Sequence, residues 1–380
     1  MNIDDYRNQI NDIDKEIVKL FTERMAVAGK IGEYKKENNL PVKDSRRERE
    51  LMEKIVDMAG DEYDKDLRSL YSLIFELSRS RQRKIVDKPS ELSVRMDEAV
   101  KNTDNLFPEK ANVACQGTEG AYSQAAAEKL FKHPSLMFFS SFEKVFSAVD
   151  KGLCRFGILP LENSTAGSVN QIYDLMAKYN CSIVRTARIH VRHTLVAAKG
   201  AKLEDIKEIY SHEQAILQCN AFLGTLKGVK VIPCENTAIA AQKVAESGRK
   251  DIAAISSKDC AELYDLGIIQ ENINDMKNNF TRFICISKKL EIYPGADKTS
   301  IMMILPHKAG SLYKVLARLY VLGINLNKLE SRPLPERNFE FMFYFDIDES
   351  IYSPALKELL CEFESEAQEF RYLGSYSEVI

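Results

Sequence analysis

The sequence predicts three consecutive units of different class: an all-helical N-terminal unit, an α/β unit, and an α+β unit of βαββαβ order. Three observations carry this. Apolar residues repeat at seven through about the first thirty-five positions. From Ala111 onward strand-like and helical runs alternate. About the last ninety residues read strand, helix, two strands, helix, strand. A chain of 380 residues has room for two or three domains.

Composition excludes several function classes. A net charge of −3 and a pI near 6.1 point to neither nucleic acid nor a membrane surface. The N-terminus, Met1-Asn2-Ile3-Asp4-Asp5-Tyr6, lacks the apolar core of a signal peptide, and no apolar run approaches membrane-spanning length. The eight cysteines are scattered singly, as buried thiols of a reducing compartment are, so a cytoplasmic protein is expected. His190 and His193 lie an odd number of residues apart in a strand-like run, which speaks against a shared zinc ion. Neither a metal nor a cofactor is expected.

In the helical unit, Ile3, Ile10, Ile17 and Ile31 repeat at seven, as do Tyr6, Ile13, Leu20, Val27 and Tyr34. Together they form a seam on the order of 50 Å long. Arg24 interrupts it where an isoleucine was due, with Arg7 and Lys35 on its flanks. A cation on a buried stripe requires an anion. Pro41 ends this helix, and Asp44, Glu48, Leu51 and Ile55 share one face of the next. Asp44 alone would suit an N-cap. In a third helix Ser78 and Gln82 extend the core stripe of Leu67, Tyr71, Ile74 and Ile85. These features imply a polar, mainly cationic pocket. Two short helices cannot cover so long a seam, so a second copy of the chain is expected against it.

The run IDDYRNQINDIDKEIVKLFTERMAVAGKIGEYKK, followed by LPVKDSRRERE, resembles the all-α chorismate mutase domain that opens bifunctional chorismate mutase–prephenate dehydratases. The resemblance implies substrate-binding roles for Arg7, Arg24, Lys35, Asp44, Arg47, Glu48, Ser78 and Gln82. Chorismate is a dicarboxylate whose rearrangement moves no proton. Catalysis therefore needs conformational restraint and donors aimed at the breaking ether oxygen. Arginines suit the carboxylates, and the resemblance puts Lys35 and Gln82 at the ether oxygen. This domain is expected over 1–88, with a charged linker at 89–110 holding a short helix near Glu91 to Val100.

In the α/β unit, strand-like runs are expected at Asn112–Cys115, Leu136–Phe139, Phe156–Leu159, Ser182–Ile189, Thr194–Ala198, Ile209–Ser211, Val229–Pro233, Asp251–Ser256 and Arg282–Ser287, in a mainly parallel sheet. The stretch LPLENSTAGSV at 159–169 is the most telling. An apolar strand stops at Pro160, five polar or small residues follow, and a helical pattern resumes at Val169. Open α/β folds place ligands at such strand ends. Similar junctions recur as GTEGAYS at 117–123, SHEQAILQC at 211–219, NTAIAA at 236–241 and TRF at 281–283. A glycine-rich turn opening a helix can hold a carboxylate through backbone amides, whereas its match to a dinucleotide fingerprint is poor.

Five such junctions in order closely resemble the prephenate dehydratase domain, over 111–290. The resemblance implies two α/β lobes of periplasmic-binding-protein-like fold with a cleft between them. It makes Thr281 essential and lines the cleft with Glu162, Asn163, Ser164 and Thr165 from one strand end, Ser211 and Gln218 from the other lobe, and Ser123, Arg282 and Phe283. Prephenate loses carbon dioxide and its ring hydroxyl, so Thr281 is expected to donate to the departing oxygen. Glu162 is the candidate acid of raised pKa, and Arg282 the partner of a substrate carboxylate.

In the last unit, strands are expected at 301–305, Ile324–Leu329 and Phe339–Asp346, a hairpin near Pro333–Asn338, helices at Ser311–Leu322 and Pro354–Glu366, and a final strand. This is a ferredoxin-like order. HKAGSLYKVL and GINLNKLESRP resemble the ACT regulatory domain that binds phenylalanine in this family, over 296–380, with Ser311 where the family usually has alanine. The resemblance implies an allosteric site at Gly310, Ser311, Leu312, Glu330, Ser331, Arg332 and Pro333, formed across paired domains of a homodimer or homotetramer. A chain cut after Lys289 is then expected to stay active and lose inhibition. The expected enzyme makes prephenate from chorismate and phenylpyruvate from prephenate, under feedback by phenylalanine. A dehydratase preferring arogenate, and a non-catalytic amino-acid sensor, are the alternatives.

Overall fold

The computed structural model describes residues 2–86, 90–334 and 340–380. It holds two compact units, Met1–Val94 and Arg95–Ile380. No helix among the described residues is long and apolar enough to cross a membrane.

The first unit is three helices, α1 (Ile3–Glu37), α2 (Ser45–Ala59) and α3 (Asp64–Val86). A capping box starts α1, in which Asn2 accepts the Asp5 N–H and the Asp5 carboxylate takes the Asn2 N–H. Asp44 caps α2 by accepting the Arg47 N–H at 2.9 Å. Helix α1 packs on α3 through Ala28, Gly29 and Gly32. A Cβ at Gly32 would stand 3.1 Å from Gln82 Cα, so glycine permits the close approach. The predicted seam faces away from this contact. Ile3, Tyr6, Ile10, Ile13, Ile17, Leu20, Val27, Ile31 and Tyr34 all remain between 43% and 63% exposed.

The expected linker is not free chain. It forms α4 (Glu91–Asn102), in which Leu92, Met96 and Ala99 are buried. The Ile292 N–H donates to Thr103 Oγ1 at 3.0 Å. The Phe107 ring packs between Phe131, Phe156 and Tyr293. Residues 87–89, at the junction of the two expected segments, lie outside the described residues.

In the second unit, a first lobe holds β1 (Lys110–Gln116), α5 (Tyr122–Leu130), β2 (His133–Phe139), α6 (Phe142–Asp150), β3 (Phe156–Asn163), β4 (Gly167–Ser168), α7 (Asn170–Lys178) and β5 (Ser182–His190). The chain then builds a second lobe from β6 (Thr194–Ala197), β7 (Glu208–His212), α8 (Glu213–Leu217), α9 (Asn220–Gly224), β8 (Lys230–Cys234), α10 (Thr237–Ser247), β9 (Ile252–Ser256), α11 (Lys258–Leu263) and β10 (Gly267–Gln270). It returns as β11 (Phe280–Ser287), between β3 and β5.

The pairing is parallel among β1, β2 and β3 and among β7, β8 and β9. It is antiparallel where β11 meets β3 and β5, and where β6 meets β9 and β10. Each sheet is therefore mixed rather than mainly parallel, because a chain that leaves a lobe and comes back adds its return strand in the opposite sense. Strand β3 also runs past Pro160, where an end was expected. A bulge between Arg282 and Phe283 breaks the β11 ladder opposite Leu161, and a proline without an N–H is tolerated at such a place.

The C-terminal region adds β12 (Lys298–Ile304), α12 (Ser311–Val321), β13 (Asn325–Pro333), β14 (Phe341–Asp348), α13 (Pro354–Glu366) and β15 (Glu369–Tyr376), closing on β16 (Glu378–Val379). Its sheet runs β13-β14-β12-β15, antiparallel throughout, as βαββαβ connectivity requires. Residues 335–339, which include most of the expected hairpin and Phe339, lie outside the described residues.

This sheet does not stand apart from the lobes. Met302, Tyr344, Leu373 and Tyr376 share one buried core with Leu159, Leu161, Ile284 and Ile286. β16 pairs with β5, and Gly374 (φ 136°) lies where any Cβ would strike the Ile183 carbonyl. Cutting after Lys289 would strip a strand from the first sheet and open that core to water. Retained activity is therefore no longer the expected outcome of that truncation.

Candidate functional site

Within the helical unit, the Arg24 guanidinium reaches from α1 to α3, donating to Ser78 Oγ at 2.5 Å and lying 5.8 Å from the Phe75 ring centroid. Burial lowers its pKa from the ordinary value. Ser78 and Gln82 are buried one turn apart, and Gln82 Oε1 has no partner among the described residues. Lys35 Nζ donates to the Val42 carbonyl, which leaves two of its three N–H donors for other partners. Glu48 meets Arg79 at 2.6 Å, and Arg79 is a buried cation that the sequence reading passed over. Its signal was available, because Phe75, Arg79, Gln82 and Val86 keep helical spacing of four, three and four. Asp44 and Arg47 are exposed at the start of α2. Arg7 stands apart. It is exposed and paired with its own Asp4 at 3.1 Å, roughly 25 Å along α1 from Arg24 at 1.5 Å per residue.

Between the two lobes lies a cavity of about 560 Å³. Its lining joins Gln116, Tyr122 and Ser123 with Asn163, Ser168, Thr281 and Phe283 from the first sheet, and His193, His212, Gln214, Gln218, Glu235 and Asn236 from the second lobe. Among the described lining residues there is no lysine or arginine. The starts of α5 and α10 open onto it instead, where unpaired backbone N–H groups suit an anion. The Ser123 hydroxyl is committed to the Gln116 carbonyl, which fixes the turn before α5.

A chain of hydrogen bonds crosses this cavity. The Asn163 carboxamide oxygen accepts the Thr165 and Ala166 N–H groups at 3.0 and 2.9 Å, so its NH₂ must face the other way. That NH₂ donates to Thr281 Oγ1 at 2.9 Å and to Asn279 Oδ1 at 2.7 Å. Gln218 Nε2 donates to Thr165 Oγ1 at 2.9 Å, and Thr165 Oγ1 to Asn163 Oδ1 at 2.7 Å. Gln218 Oε1 accepts from Asn279 at 2.8 Å and lies 2.9 Å from His193 Nε2. Burial lowers the His193 pKa from its ordinary value, so at neutral pH the ring is uncharged and Nε2–H serves as the donor. No described residue takes the Thr281 hydroxyl hydrogen. It is free to point into the cavity.

The sequence missed His193 and Asn279. Each is at least 98% buried; Asn279 lies just before the marked TRF junction, and His193 between two expected strands where no junction was marked. Five expected cleft residues are outside the lining: Thr165, which meets Gln218 from its loop, and four that face elsewhere. Ser211 is fully buried and donates to the Ile255 carbonyl. Ser164 bonds the Asn278 carbonyl and the Phe280 N–H, holding the loop. Glu162 and Arg282 turn to the back of the sheet, where Arg282 Nε lies 2.8 Å from Glu162 Oε1 and Nη1 meets Asp346. Burial works most strongly against the Arg282 charge, yet Asp346 ahead of other neighbours raises its pKa above the ordinary value. The expected roles of Glu162 as cleft acid and Arg282 as carboxylate partner are thereby corrected, since neither reaches the cavity.

A second cavity, of about 390 Å³, opens at the start of α12 and is lined by Ser311 and Leu312 with His307, Lys308, Phe341 and Phe343 among others. The buried Ser311 hydroxyl has no partner among the described residues. Gly310 caps the helix at φ 82°. Of the other expected allosteric residues, Glu330 and Arg332 turn to the first lobe, meeting Ser168 and, at 2.9 and 3.0 Å, Asp174. Ser331 and Pro333 are exposed on β13.

Comparison with known proteins covers both halves. The family model for chorismate mutase type II matches residues 6–83, and that for prephenate dehydratase matches residues 113–291. A bifunctional chorismate mutase/prephenate dehydratase of Buchnera aphidicola is 31% identical over 98% of this chain and 95% of its own length. An arogenate dehydratase/prephenate dehydratase 1 of Arabidopsis thaliana is 37% identical over 70% of this chain and 72% of its own. The solved prephenate dehydratase of Arthrobacter aurescens in complex with L-Phe superposes with a TM-score of 0.64 at 28% identity, covering 70% of this chain and 90% of that one.

Proposed function

The chain belongs to the family of bifunctional chorismate mutase/prephenate dehydratases, enzymes of phenylalanine biosynthesis, and from that premise we propose how its residues carry the two reactions. In the helical unit Arg24 takes a chorismate carboxylate, while Lys35 and Gln82 donate to the ether oxygen as its bond breaks. Glu48, an acceptor held by Arg79, faces the substrate hydroxyl. Asp44 and Arg47 close the α2 side. Arg7 cannot join them along its own helix, so it comes from a second copy docked antiparallel on the exposed seam. Ile13→Glu is expected to leave monomers in sedimentation and to cut mutase turnover at least tenfold. A dimer of full mutase activity in that variant would overturn the docking.

In the cleft, the carrying observation is the hydrogen-bond chain that leaves the Thr281 O–H unclaimed. Prephenate breaks its bond to the ring carboxylate, which departs as carbon dioxide. The electron pair enters the ring, and the hydroxyl leaves as hydroxide, which takes a proton from solvent to become water. Thr281, fixed by Asn163, donates to that oxygen as charge grows on it. Helix-start amides hold the remaining carboxylate. Glu235, the carboxylate at the cavity wall, favours a second reading in which the ammonium of arogenate is also accepted. Comparing kcat/KM on the two substrates decides between them.

The C-terminal region is read as an ACT domain whose second cavity takes phenylalanine. Phe341, Phe343 and Leu312 would receive the ring, and the start of α12 with Ser311 the carboxylate. Such a ligand acts only through its differential affinity for two states of the enzyme. The full chain, given chorismate, is expected to form phenylpyruvate, and L-phenylalanine is expected to suppress its dehydratase step and give binding heat in calorimetric titration. Absence of both effects would move control elsewhere.

A further inference from the structure

Strands β3 and β11 carry two cross-strand pairs in adjacent register. Asn163 stands opposite Thr281, and Glu162 opposite Arg282. Successive residues on a strand face opposite sides of the sheet. The first pair therefore looks into the cleft, and the second is its counterpart on the back. That back pair is taken up by the C-terminal sheet. Asp346 of β14 binds Arg282, and Lys328 of β13 reaches Glu162 at 2.5 Å and the Ser168 hydroxyl at 2.8 Å. Asp346 is fully buried and is held in turn by Ser300 and Tyr376, each at 2.8 Å.

We propose that Arg282 is a positioning residue of the dehydratase reaction: clamped between Asp346 and Glu162, it sets where Thr281 and Asn163 stand in the cleft, and it makes that placement depend on the C-terminal sheet. Three features converge on this. The β3–β11 ladder breaks just after Arg282, at Leu161 of β3, so the Thr281–Asn163 and Arg282–Glu162 pairs form a short stretch of that ladder whose placement the back-face clamp can fix. A buried guanidinium fixes its strand far more strictly than an apolar residue would, because moving it leaves charge unpaired. Strand β14 also carries Phe341 and Phe343, which line the second cavity, and Asp346 lies three residues further on, about 10 Å at ~3.4 Å per residue. A ligand that shifts β14 there shifts the Arg282 anchor, and Thr281 is its neighbour on β11. Lys328, with Glu330 beside it on Ser168, ties a second strand of the C-terminal sheet to β4 on the same wall of the cleft.

This inference rests on the reading of Thr281 as the donor, and the test separates the two. In the full chain, Asp346→Asn keeps the Oδ1 acceptor for Ser300 and Tyr376 and puts an NH₂ where the other carboxylate oxygen faced Arg282, which removes both the opposing charge and the acceptor of that bond. The dehydratase kcat is expected to fall at least tenfold, with KM for prephenate within threefold and mutase turnover unchanged. In an Asn163→Ala background the same substitution should cost less than twofold, because the hydrogen bond it positions is already gone. A purely structural role would give additive losses in both backgrounds. Should Asp346→Asn fail to fold, the half-buried Lys328→Met replaces it, with an expected severalfold fall in kcat and a changed half-inhibiting concentration of L-phenylalanine. Unchanged kcat in a folded variant, or additive losses, would overturn the inference. If Thr281→Ala itself left kcat unchanged, the donor reading would fall first, whatever Asp346→Asn did.

Discussion

Arg24→Ala is expected to abolish mutase turnover while dehydratase activity on supplied prephenate stays within twofold of the parent. The position interrupts a seam of exposed apolar side chains, and its guanidinium crosses to Ser78 beneath the Phe75 ring. A cation held there without a carboxylate partner among the described residues is poised for a ligand's. Losing it should cost roughly 3 kcal/mol or more in transition-state binding, which is about a hundredfold in kcat/KM. Arg24→Lys keeps the charge but not the planar fork, so it should recover only part of the loss. Chorismate consumption and phenylpyruvate formation, measured separately, provide the check. Near-normal mutase turnover in Arg24→Ala would remove the helical cluster from consideration as the mutase site.

Thr281→Ala should lower dehydratase kcat by about 10²–10³-fold, the range seen when one donor aimed at developing charge is deleted. KM for prephenate should change little, because the hydroxyl matters most as the carbon–oxygen bond breaks. Thr281→Ser, which restores the hydroxyl without the methyl group, should retain a measurable fraction. Mutase turnover in both variants should match the parent, since the chorismate mutase and prephenate dehydratase family matches, residues 6–83 and 113–291, fall in separate compact units. Equal kcat in parent and Thr281→Ala would show that the threonine serves strand propensity alone.

Much of the architecture was legible in the residues. The seven-residue repeat located α1 and foretold its uncovered face, and the βαββαβ order gave the C-terminal sheet with α13 at Pro354–Glu366 as expected. Motif position also identified Asn163, Gln218 and Thr281, which the fold brings into one hydrogen-bonded chain. What failed was the sorting of neighbours. The reading placed Glu162 and Asn163 in the cleft together, and likewise Thr281 and Arg282. A strand cannot present adjacent side chains on one face.

Sequence by itself marked the residues proposed for the two reaction sites, because polar groups at strand ends and cations on an apolar stripe are local features, readable wherever they occur. It could say that Glu162 and Asn163 face opposite ways. It could not say which of them meets the cleft, because that depends on what packs behind the sheet. Only the tertiary structure decided it. Asp346 and Lys328, 64 and 166 residues distant from Arg282 and Glu162 respectively, arrive on the back face and draw those charges to them. The same packing joins the C-terminal sheet to the first lobe in one core. Charge pairing and burial act between residues that the chain separates widely, and no local pattern records them.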